Sequence, residues 1–143
     1  MRLLLLTLAA VVASGFAQSR PASLRVYLLV ACSAADAGQR VAGGCLQKKP
    51  FLTESDVQAA EVQKNAKGQA IIFVTFHADA AVRELNVTKK NIGNRVAIVV
   101  NGRVVASPMI AAASRQLFID GEFTGKQAEG VAAGLNRRIR QKN

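Results

Sequence analysis

The stretch NRVAIVVNGRVVASPMI, residues 94–110, decides how this chain folds. Two runs of β-branched residues meet at Asn101-Gly102. A two-residue turn of type I′ needs positive φ at both central positions, and Asn-Gly supplies it at least cost, so the stretch predicts a β-hairpin. Pro108 lacks an N–H for a ladder and predicts the end of the second strand. The hairpin contains no side chain suited to chemistry, and its apolar residues call for a core beneath it.

Downstream, QLFIDG (116–121) predicts a short strand, and Thr124-Gly125-Lys126-Gln127 has the form of a capping box opening a helix. Phe123 and Ala128 are placed for a hydrophobic staple, while Ala128, Val131, Leu135 and Ile139 predict the buried stripe. Gly130 and Gly134 each cost that helix up to about 1 kcal/mol relative to Ala, which close packing on the sheet would justify, with a protein-contact groove as the alternative. The helix ends in a cationic tail, Arg137, Arg138, Arg140 and Lys142, where the macrodipole favours positive charge. These four form a candidate anion contact; a solvated helix end is the simpler reading.

Upstream of the hairpin, ADAAVRELNVTKKN (78–91) places Ala78, Val82, Leu85 and then Ile92 near helical spacing, with Gly93 just past the helix end. Before it, Asn65-Ala66-Lys67-Gly68 reads as a turn into QAIIFVTF (69–76), an almost unbroken apolar strand suited to a sheet centre. Thr53-Glu54-Ser55-Asp56 predicts one or two helical turns. LRVYLLVA (24–31) and CLQKKPFL (45–52) read as extended runs, with Pro50 marking a strand end or a sheet edge. The sum is an α+β fold in two layers, a largely antiparallel sheet with two main helices packed on one face.

The N-terminus, MRLLLLTLAAVVASGFAQSRP, has one cation, an apolar run over Leu3–Ala13, and small residues before a cut between Ala17 and Gln18. This is the layout of a secretory signal peptide, and the run falls short of the about 20 residues of a membrane span; an uncleaved anchor is the alternative. Removing residues 1–17 leaves 126 of the 143 residues, one domain over 18–143, and takes away only Arg2, so the net charge falls by one from +10. No later segment is apolar enough to span a bilayer, and the expected location is the periplasm or the medium. Cys32 and Cys45 then face an oxidising compartment, which favours a disulfide closing the loop SAADAGQRVAGG, with two thiols as the alternative.

The basic balance suits anionic partners such as lipid head groups or cell-wall polymer. Nucleic acid is disfavoured, since there is no Trp, one Tyr, and no basic patch interleaved with aromatics. Catalytic equipment is sparse. His77 is the only histidine, Gly-x-Ser-x-Gly and phosphate-binding Gly-rich loops are absent, and nothing calls for a metal or cofactor. Glu54, Asp56 and Glu129 are accounted for by helix starts and solvated faces, and the Asn86-Val87-Thr88 sequon falls inside a predicted helix.

The order of these features resembles the SecD/SecDF subunit of the bacterial protein-export translocase, in the head subdomain of its first periplasmic region. The resemblance covers about residues 52–136. It rests on Phe73 and Thr75 in the strand, Asn91, Ile92 and Gly93 at the helix end, and Ala97, Ile98, Val99, Gly102, Val104, Pro108 and Ile110 in the hairpin. Gly121, Phe123, Thr124, Ala128 and Leu135 complete it. It implies a non-enzymatic, free-standing head-like module that engages exported polypeptide, a translocase subunit or another envelope protein. Strand addition at a sheet edge or capture in a groove between helix and sheet would serve. The resemblance assigns no counterpart to the Cys32–Cys45 loop. A cationic protein binding anionic lipid or cell-wall polymer is the competing reading, and a hydrolase using two carboxylates is the third.

Overall fold

The structure, a computed structural model, describes residues 20–141. The signal segment with its Ala17–Gln18 cut, and Lys142, lie outside the described residues.

The hairpin forms as the Asn-Gly turn dictates. Strand β7 (Val96–Val100) pairs with β8 (Arg103–Ala106) across Asn101 and Gly102, whose φ angles are 50° and 79°. Ser23 N–H donates to Asn101 Oδ1 at 2.9 Å, and Asn101 N–H donates to the Ser23 carbonyl at 3.1 Å, which ties the turn to the start of β1 (Leu24–Val30). Strand β1 runs antiparallel to β7 over Leu24–Leu28 and places Leu24 and Val26 in the core.

The other edge of β1 is covered by two short strands in succession, β3 (Gly44–Gln47) and β4 (Leu52–Thr53). Together they make the extended run expected over 45–52, broken around Pro50, which can offer no ladder donor. The Cys32–Cys45 segment is not merely a loop. It contains β2 (Ala37–Val41), which pairs with β3 and completes a sheet ordered β2-β3-β1-β7-β8, with β4 beside β1. The disulfide joins Cys32 to Cys45 across a sequence separation of 13. Closing a loop of that size is worth about 3 kcal/mol in the chain-entropy model. Reduction, or replacement of both cysteines by serine, is therefore expected to lower unfolding free energy by about 2 to 3 kcal/mol, read by urea denaturation with and without reductant.

A second antiparallel sheet is ordered β5-β6-β9, from β5 (Val57–Lys64), β6 (Ala70–Phe76) and β9 (Leu117–Phe123). The strand expectation is thus met by two sheets rather than one. They meet where Gly121 of β9 faces the Val105 carbonyl of β8; a Cβ at Gly121 would lie 2.8 Å from that oxygen. Strand β5 follows the Thr53–Asp56 segment, for which the sequence predicts one or two helical turns, and no strand is expected over its residues. The helix start at Thr53 stops after a single 3-10 turn over Glu54–Asp56, capped by Thr53 and Asp56 in a capping box, and the chain goes straight into β5.

Helix α1 (Ala78–Lys90) and helix α2 (Gly125–Arg140) complete the α+β fold. Helix α2 begins with the expected capping box, Thr124 Oγ1 accepting from Gln127 N–H and Gln127 Oε1 from Thr124 N–H. It buries Ala128, Ala132, Gly134 and Leu135 mainly against β5, with Val131 and Ile139 half-buried. Asn136 reaches from α2 to the backbone of β5: its Oδ1 accepts from Ala60 N–H at 3.0 Å and its Nδ2 donates to the Ala60 carbonyl at 2.8 Å. The packing expected of the two glycines divides. Gly134 lies against Arg20 and Ala22 in the segment leading into β1, whereas Gly130 faces open space. One continuous core joins both sheets and both helices, with Leu24, Leu52, Ile72, Ile98, Ile119 and Leu135 among its fully buried side chains.

Candidate functional site

Helix α1 turns a different face inward from the one its apolar residues suggest. Val82 is 44% exposed and Ile92 57% exposed, while the buried line is Ala80, Glu84 and Thr88, at successive steps of four. The expectation that Ala78, Val82, Leu85 and Ile92 form the core stripe is corrected accordingly. The polar pair on the inner face has an identifiable use. Thr88 Oγ1 donates to the Glu84 carbonyl at 2.8 Å and accepts from Ser114 N–H at 2.9 Å, so the helix pins the loop that follows the hairpin.

That loop, residues 107–116, is fixed at its other end by the chain leading into β7. Gly93 N–H donates to the Ile110 carbonyl, Ile110 N–H to the Asn94 carbonyl, and Val96 N–H to the Pro108 carbonyl. Strand β8 ends at Ala106, two residues before Pro108, whose carbonyl is an acceptor that holds the loop, and Met109 forms an isolated bridge with Arg95. Arg95 adds a bond from Nη1 to the Ser107 carbonyl at 2.9 Å. Between this loop, α1 and the ends of β1, β7 and β9 lies a cleft of about 280 Å³. Its walls are largely apolar, from Val26, Phe51, Val96, Ile110 and Leu117, and its rim carries Met109 at 56% and Phe118 at 49% exposure. Phe118 also packs on Phe73 with ring centroids 4.9 Å apart, so its ring is held in place.

Glu84 lines this cleft and is 3% exposed, with Oε2 buried and without a hydrogen-bond partner. Desolvation favours the neutral acid, and burial pushes its carboxyl up from 4.5 to about 7. The neighbouring cation does not relieve it. Arg83 points to the other side, where Nη1 donates to Asp56 Oδ2 and to the Phe51 carbonyl, both at 3.2 Å. The sequence reading did not single out Glu84. The available signal was an acid four residues after Ala80 and four before Thr88, on the face whose remaining members are small or β-branched.

The cationic tail is placed in part. Arg138 Nη1 bonds Glu54 Oε1 at 3.3 Å, while Glu54 Oε2 accepts from Leu24 N–H at 3.3 Å, so this arginine joins α2 to the 3-10 turn and to β1. Arg140 is exposed and Arg137 half-buried. Of the candidate anion contacts, Arg138 is thus committed to an internal carboxylate. His77 is an exposed residue at the start of α1 with no side-chain capping bond, and no group of three or more potential metal ligands occurs among the described residues. Gly130 opens on a second groove, of about 620 Å³, between β8, β9 and α2. No helix among the described residues is long and apolar enough to cross a membrane.

Comparison with known proteins matches residues 31–137 to the family model "SecDF, P1 head subdomain". The chain is 33% identical over 88 residues to protein translocase subunit SecD of Aquifex aeolicus, covering 61% of this chain and 18% of that protein. It is 34% identical over 88 residues to protein translocase subunit SecDF of Thermus thermophilus, covering 60% of this chain and 12% of that protein. Among solved structures, one of SecDF, described as a membrane component that enhances protein export, superposes with a TM-score of 0.63 at 26% identity. The match covers 82% of this chain and 63% of that one. A crystal structure of SecDF in a super-membrane-facing form gives a TM-score of 0.65 at 24% identity, a likeness of fold.

Proposed function

Because the chain belongs to the SecDF P1 head subdomain family, we propose that it is a non-catalytic module on the outer side of the inner membrane that captures segments of exported polypeptide. The match spans 18% of the length of the Aquifex aeolicus SecD and 12% of that of the Thermus thermophilus SecDF, so the whole translocase subunit's activity enters only through this reading. The observation that carries it is the cleft between α1 and the 107–116 loop: apolar walls, an exposed Met109 and Phe118 at its mouth, and a backbone frame held at both ends. A methionine and an aromatic ring offer adaptable apolar contact, which suits a site that must accept many sequences. Capture in this groove is favoured over strand addition at β5, where Asn136 already occupies the backbone groups of Ala60.

Photo-crosslinking groups at Met109 and Phe118 are expected to trap a secretory polypeptide of known sequence stalled during export, while the same group at Arg40 on β2 traps none. Equal trapping at all three positions, or at none, would overturn the reading. The alternative of an anionic lipid or cell-wall partner rests on the basic charge balance and on the cationic tail, Arg137, Arg138, Arg140 and Lys142. The engagement of Arg138 by Glu54 removes one of the cations it would use. Its mark would be binding to anionic vesicles that fades steeply with salt.

A further inference from the structure

Glu84 asks for a ligand group. A buried acceptor without a partner is costly, and an acid placed among apolar walls would ordinarily be replaced by an apolar residue if packing were all that mattered. From β1, β7, β9 and the 107–116 loop no charged side chain lines the cleft, and among the described residues Glu84 is the one titratable group there. The chemistry that fits both features is a side chain with an aliphatic stem and a cationic tip: the stem lies along apolar surface and the tip meets the carboxylate.

We propose that the cleft takes an apolar polypeptide segment carrying one basic residue, whose cation pairs with Glu84 Oε2. This deepens the capture reading above and rests on it. The protein's net charge of +10 gives a basic segment no general attraction, so any preference for one is a local effect of this side chain.

The pH dependence has a definite sign. With the empty cleft holding its acid protonated until about 7, a cation can pair only after that proton leaves, so affinity for a basic segment rises as pH rises toward and past 7. A fully apolar segment gains nothing from ionisation and binds no better, or less well, at higher pH.

The test uses the full chain and two short fluorescent peptides of leucine and alanine, one with a central lysine and one with norleucine in its place. From about pH 5.5 to about pH 8 the lysine peptide is expected to tighten by about tenfold or more, and the norleucine peptide not at all. Glu84→Gln and Glu84→Leu are expected to remove the pH slope and the preference for lysine over norleucine, with far-UV circular dichroism and a cooperative urea transition reporting that each variant is folded. If both peptides bind wild type alike at every pH, capture stands and the role of Glu84 is overturned. If neither peptide binds, or if the cleft is covered by a second copy of the chain that neither peptide displaces, capture and the role of Glu84 fall together.

Discussion

Raising the pH from about 5 to about 8 is expected to cost the protein about 2 to 3 kcal/mol of unfolding free energy through Glu84 alone. In the folded chain burial holds this carboxyl at about 7, while the unfolded chain returns it to 4.5. Below 4.5 both states carry the proton and nothing is lost. Between the two values the folded state retains a proton that the unfolded state has released, so rising pH favours unfolding; above about 7 both are ionised and the slope ends. Replacement by leucine removes the titration and fills the site with apolar atoms. Urea unfolding of wild type and Glu84→Leu across this range should therefore diverge with pH, the variant being the more stable at pH 8 by about the amount that wild type loses. Parallel curves would show that the carboxyl is solvated in the folded state. On the proposal that Glu84 pairs with a bound cation, stability and capture would oppose one another at this position, an arrangement expected where a site holds an unsatisfied polar group.

The second large effect separates two glycines four residues apart on α2. An added Cβ at Gly134 would lie 2.7 Å from the Arg20 carbonyl oxygen, 2.9 Å from Ala22 Cβ and 3.0 Å from Ala22 N. Two of those neighbours are backbone atoms, which cannot rotate away, so Gly134→Ala is expected to destabilise by about 1 to 3 kcal/mol although alanine is the better helix former. At Gly130 nothing lies within 4 Å, and Gly130→Ala is expected to stabilise by about 0.5 to 1 kcal/mol. Thermal melts of the two variants should move in opposite directions. A shared sign would mean that α2 does not pack on the segment before β1 as described.

What could be read in the chain follows from how local each signal is. The Asn101-Gly102 turn and the Thr124 capping box are settled within four residues, and both form as expected. The disulfide joins the only two cysteines. Strand β5 was illegible because VQAAEVQK alternates poorly: its apolar positions are alanine and valine, and a register irregularity between Val57 and Ala59 breaks the period. The inner face of α1 was misread for a related reason. Apolar periodicity selects Val82 and Ile92, but the residues buried beneath the helix are Ala80, Glu84 and Thr88, two of them polar and one small, which a search for large apolar side chains passes over. The cleft inherits that blindness, since it is assembled from β1, β7, β9, α1 and the 107–116 loop, and only the fold brings Glu84 to its floor.

The paired hydrogen bonds from Asn136 to Ala60 have a protective consequence. An edge strand offers its free N–H and C=O groups to any extended chain nearby, and two such edges meeting can seed a growing fibrous stack. One side-chain amide satisfies donor and acceptor of the same β5 residue, so a foreign strand would have to displace it before it could gain a foothold. In a protein whose proposed work brings unfolded chains close to its surface, that amide keeps β5 from serving as a template for aggregation while the cleft on α1 stays open.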